Sequence, residues 1–134
     1  MVSLKTAAEL DAIGATRYGG VIFTPEANEY FANTYDFFLT CGRADANPTT
    51  LLEATSWGLL SFCTPQSGYY PDQPFIGVSL SDPYEAVKTL RYWLYAPKNE
   101  VLARQEAMRN ALARYRWRHT LRPIIAYAAA ALSA

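Results

Sequence analysis

The chain has 134 residues, enough for one domain, and 51% of them are apolar and 14% aromatic, which excludes an unfolded tail. Twelve Lys and Arg balance twelve Asp and Glu, so no overall field draws the chain to nucleic acid or to an anionic membrane. The start lacks the basic-then-apolar order of a signal peptide, and the apolar tail from Pro123 to Ala134 is shorter than the roughly 20 residues that span a bilayer.

In chain order, the first residues read as a short strand at Val2 to Leu4 and a helix from Lys5 to Ile13. An apolar run, Gly20 to Thr24, has strand length, and Thr24 with Pro25 then opens a short helix, since proline is pre-set for a first helical position. Asp36 to Cys41 is a second strand. Asn47 is placed to cap a helix whose first residue is Pro48, and Gly58 ends it in the left-handed conformation. Leu60 to Thr64 and Phe75 to Leu80 complete four strands. Strands alternating with helices predict a parallel sheet covered on both faces. Asp82 with Glu85 three residues on has capping spacing and opens a helix to about Ala96, where Pro97 breaks it. A helix from about Asn99 to Arg114 carries Leu102, Gln105, Met108, Leu112 and Tyr115 on a core-facing stripe, and a packed helix follows from about Thr120. The whole, residues 1–134, reads as a single domain without repeats or linkers. Cys41 and Cys63 each end an expected buried strand, where a thiol acts as a small hydrophobe, and point to a reduced, cytoplasmic protein.

Ligands of open parallel sheets sit beyond the carboxyl ends of the strands, so the informative loops follow Thr24, Cys41, Thr64 and Leu80. The loop after Cys41, running Gly42-Arg43-Ala44-Asp45-Ala46-Asn47-Pro48, leads onto a helix N-terminus whose amides and dipole suit an anion. Glu53 lies a turn further in, beside Leu51, Leu52 and Ala54. It reads either as a surface carboxylate or as one that accepts hydrogen bonds from the vicinal hydroxyls of a ribose. Asp45 reads equally as a turn residue. The basic run Arg114 to His119 reads as a solvated helix end, and the single His119 has no partner at metal-ligand spacing, so neither metal nor cofactor is expected.

Taken together, Tyr35 to Cys41, Asp45 to Ala54, Gly58 to Thr64 and Ser67-Gly68 resemble the second half of the C-terminal domain of group 1 glycosyltransferases. These are retaining enzymes of the two-Rossmann-domain (GT-B) architecture. Tyr115-Arg116-Trp117 is similar to the opening of that family's last helix, so the resemblance spans about residues 19 to 127. It implies a Rossmann-like α/β fold lacking its opening strands, in other words a partial domain. It further implies that Glu53 holds the ribose of a UDP-, GDP- or ADP-sugar and that Asp45 stands near the reacting centre. The backbone around Asn47, Thr49, Thr50 and Leu51 would meet the diphosphate, with Gly68 in the second glycine loop.

The chain departs from the pattern at Ala46, where the family has glycine, at Thr40, where proline is frequent, and at Asp45, where glutamate is usual. It also keeps one glycine, Gly68, of a usual pair. The family's arginine and lysine that neutralise the leaving diphosphate, and its acceptor-binding N-terminal domain, would lie upstream of Met1. The expectation is weak nucleotide binding and no transfer by this chain alone. Two other readings fit the residues. One is a non-catalytic module of the same fold that forms a homodimer through surfaces such as Trp57, Tyr92, Trp93, Tyr95 and Trp117. The other is a receiver or flavodoxin-like domain, disfavoured because only Glu26 and Glu29 follow Thr24 where clustered acids are needed.

Overall fold

A computed structural model describes residues 4–16, 24–44, 48–69 and 73–132. Three of the four expected strands are present among them: β1 (Phe37–Thr40), β2 (Leu60–Cys63) and β3 (Ile76–Gly77). They form an open parallel sheet in the order β1-β2-β3, with Phe37 beside Leu60 and Phe62 beside Ile76. The helices are α1 (Leu4–Ala12), α2 (Pro25–Thr34), α3 (Thr49–Ser56), α4 (Pro83–Tyr95), α5 (Lys98–Ala111) and α6 (Trp117–Leu132). The chain is thus an α/β protein with a small parallel sheet flanked by helices, consistent with a Rossmann-like fold.

Every residue of β2 is buried, and its alternation sends Leu60 and Phe62 to one face and Ser61 and Cys63 to the other. On the Ser61 face lies α3. The Thr55 hydroxyl donates to the Leu51 carbonyl at 2.7 Å and stands 2.8 Å from the Ser61 hydroxyl, so a buried polar pair is satisfied inside the interface. On the other face Phe37 packs against Phe62 with ring centroids 5.1 Å apart and shares a cavity with Trp93 of α4 and Val101 of α5.

The second edge of β2 is closed by two different means. Over its carboxyl half β3 pairs with it, and the Val78 amide extends the ladder to the Cys63 carbonyl at 2.9 Å. Over its amino half α5 takes the place of a strand. The Ser61 amide meets the sulfur of fully buried Met108 at 3.5 Å, and the Gln105 carboxamide donates to the Gly58 carbonyl at 2.7 Å. Arg104 reaches the Pro74 carbonyl at 3.1 Å while its guanidinium lies 5.5 Å from the centre of the Trp93 ring.

Local signals behave as their chemistry dictates. The Thr24 hydroxyl caps α2 at the Ala27 amide and the Asp82 carboxylate caps α4 at the Glu85 amide. Gly58 leaves α3 with a φ of 92°, the left-handed turn that glycine tolerates.

Several expectations are corrected. Leu4 begins α1 in place of ending a strand, and Thr24 is a helix cap where a strand end was expected; the rest of both expected strands, 2–3 and 20–23, lies outside the described residues. Pro48 stands before α3, with Thr49 as the first helical residue. The run from Phe75 to Leu80 pairs over only two residues, because α5 occupies the amino half of β2 and β2 itself ends at Cys63, before the turn at Pro65. Leu102 is 53% exposed, α5 ending at Ala111 in a 3-10 turn over Leu112–Tyr115. Cys41 is exposed, and α6 begins at Trp117 with Leu121, Ile124, Ile125 and Tyr127 in solvent where a packed helix was expected. No helix among the described residues is long and apolar enough to cross a membrane.

Truncating the fully buried ring in Phe62→Ala is expected to cost about 3–5 kcal/mol in denaturant unfolding, whereas Leu102→Ala should stay within about 0.5 kcal/mol. Burial pushes the Cys63 thiol up to about 11 from an ordinary value of 9.0. Between those values the unfolded chain binds fewer protons than the folded one, so unfolding free energy should fall as pH rises through that window. At neutral pH a maleimide should label Cys41 in the native protein and Cys63 only after unfolding.

Candidate functional site

The carboxyl ends of β1 and β2 are tied together by side chains. The Thr64 hydroxyl, at the end of β2, donates to the Gly42 carbonyl beyond β1 at 2.6 Å and stands 3.1 Å from the Ser67 hydroxyl. Tyr69, 2% exposed, donates from its phenol to the Pro48 carbonyl at 3.1 Å. The loop that leads from β1 to α3 is therefore fixed at Gly42 and again at Pro48. Asp45 and Asn47, the expected catalytic and capping residues between them, lie outside the described residues.

The residues expected to receive a diphosphate are divided by the start of α3. Thr49 and Thr50 are exposed, and their amides have no backbone partner among the described residues, as befits a helix beginning. Leu51 is different. Its side chain is fully buried in the core and its amide donates to the Pro48 carbonyl at 3.1 Å.

Glu53 is exposed and falls on one stripe of α3 with Thr50 three residues before it and Trp57 four after. That stripe borders a groove of about 410 Å³ whose described lining includes Phe31 of α2, Tyr35 just after that helix, Phe38 of β1, Trp57 and Leu59. Phe31 stacks on Trp57 with ring centroids 6.2 Å apart and on Tyr35 at 5.9 Å, so one wall is a run of three rings. The Glu53 carboxylate makes no hydrogen bond or ion pair within the described residues. A mainly apolar groove with one acceptor-only carboxylate at its rim suits a planar ring carrying hydroxyls.

Gly68 does not border this groove. It closes the 3-10 turn Pro65–Ser67 with a φ of 75°, a conformation that L side chains rarely adopt. The aromatic wall escaped the sequence reading, although the 3-and-4 spacing of Thr50, Glu53 and Trp57 carries it. Tyr69 left no local signal, because its partner is 21 residues away. No group of three or more metal-ligating side chains occurs among the described residues.

Tyr69→Phe removes the bond to Pro48 while keeping the ring, and is expected to lower unfolding free energy by about 1 kcal/mol. Native-state hydrogen exchange at the Leu51 amide should quicken in the same variant, since that amide shares the Pro48 carbonyl.

Comparison with protein-family models, with curated proteins and with solved structures finds no match to this chain.

Proposed function

We propose that this chain is the donor-binding part of a glycosyltransferase, taking a nucleotide diphosphate sugar against α3. The observation that carries the reading is Glu53, a carboxylate without a partner among the described residues, on the same helical stripe as Thr50 and Trp57 at the rim of an aromatic groove. In this reading the Glu53 carboxylate accepts from the ribose hydroxyls, the rings of Phe31, Tyr35 and Trp57 face the base, and the Thr49 and Thr50 amides receive phosphate oxygens. Further support comes from the resemblance of Asp45 to Ala54 to the family motif. Transfer would require Asp45 beside the donor sugar and an acceptor-presenting domain of the GT-B architecture, so the isolated chain binds without turning over.

UDP-, GDP- or ADP-glucose, or the bare diphosphate, should raise the melting temperature of the chain. Glu53→Ala should weaken that binding by about tenfold or more, the worth of a hydrogen bond to a charged group. A 2′-deoxynucleotide should bind the unaltered protein as poorly as the natural one binds the variant. Absence of any shift with all three nucleotides at millimolar concentration would refute the reading.

A second reading, a non-catalytic module that pairs with a copy of itself, is favoured by the exposed apolar residues of α4 and α6. Tyr84, Leu94 and Tyr95 on α4 are 78%, 61% and 76% exposed, and Tyr127 on α6 is 79% exposed. Sedimentation equilibrium over a wide concentration range separates the two: a constant monomer mass removes the second.

A further inference from the structure

At the carboxyl edge of the sheet, away from the aromatic groove, a second cleft of about 450 Å³ is lined by Arg43, Pro65, Gln66, Ser79, Leu80 and Ser81. Its walls come from the three segments that leave β1, β2 and β3. It shares no described residue with the groove that holds Glu53. We infer that this cleft is a binding site for a phosphate-type oxyanion, with Arg43 as its cation.

The donors converge from separate walls. Arg43 is exposed and its fork of N–H groups makes no ion pair or hydrogen bond within the described residues. The Ser79 and Ser81 hydroxyls stand 3.0 Å apart. Whichever of them donates, the proton of the other remains for a ligand. Gln66 adds a carboxamide from the turn after β2. No carboxylate lines the cleft among the described residues, and that of Asp82, next in the chain, is turned to the α4 amide of Glu85. Donors on three sides without a competing acid fit a tetrahedral anion better than a planar carboxylate, which two coplanar donors satisfy. The position is the one where open parallel sheets bind ligands. The inference stands on this cleft alone and does not need the nucleotide-sugar reading.

The test is titration calorimetry of the full chain with inorganic pyrophosphate at fixed ionic strength, with malonate as the carboxylate control. Saturable pyrophosphate binding is expected, weakened about tenfold or more in Arg43→Gln, partly kept in Arg43→Lys and unchanged in Glu53→Ala. The unfolding midpoint of Arg43→Gln should match that of the unaltered protein, because the side chain is exposed. Pyrophosphate that fails to saturate at millimolar concentration, binds Arg43→Gln equally well or binds no better than malonate overturns the site. UDP serves to identify the source of the anion. Competition with pyrophosphate assigns it to a nucleotide, whereas independent binding assigns it to another phosphate compound and supports the site equally.

Discussion

A strand with no exposed residue has to be covered on both faces and along both edges, and β2 imposes that requirement on everything around it. Its backbone amides and carbonyls need partners as much as its side chains need contacts. β1 supplies one edge, β3 supplies half of the other, and α5 closes the remainder with a sulfur at the Ser61 amide and a carboxamide at the Gly58 carbonyl. α3 then covers the Ser61 face, where the only buried hydroxyls in the contact, Thr55 and Ser61 among the described residues, satisfy each other. The positions of α3 and α5 are thus consequences of one buried strand.

That arrangement decides where chemistry can occur. With α3 held by its Thr55 side, its Thr50–Glu53–Trp57 stripe turns towards α2 and β1, and the groove forms there. The strand ends are fastened by Thr64 to Gly42 and by Tyr69 to Pro48, so the start of α3 is tied to the core. A rigid frame beneath a short loop is the usual way for a fold to present binding residues. Arg43 follows Gly42 directly, which brings a cation to the same edge from the other end of the loop.

Much of this was readable in the sequence because it is local. Thr24, Asp82 and Gly58 act on neighbours within four residues, and the strand-length apolar runs at Phe37 and Leu60 both form strands, the second fully buried. What escaped is set by distant partners. Phe75 to Leu80 has strand composition throughout, yet its pairing length is set by its neighbour, where Met108 takes the Ser61 amide and β2 ends at Cys63. Leu102 and Tyr127 sit on regular helical stripes, but periodicity reports only which face is apolar and not whether anything packs on it. Among the site residues, position alone left Glu53 open between a surface carboxylate and a ribose ligand, and the family resemblance chose the second. The Pro48 carbonyl, which accepts from both the Leu51 amide and the distant Tyr69 phenol, carries no such local signal. Arg43 was visible as a loop residue, but its company, Gln66, Ser79 and Ser81, comes together only across the sheet edge.

The central claim is that ligand binds along α3 at the groove that Glu53 borders. Amide and indole chemical-shift mapping in an ¹⁵N-labelled chain titrated with UDP tests it most directly. The account predicts that the Thr49, Thr50 and Glu53 amides and the Trp57 indole move together along one binding curve, with α5 amides such as Glu106 unmoved. Shifts confined to α4 and α6, or none at the Thr49 to Trp57 positions at saturation, would contradict it.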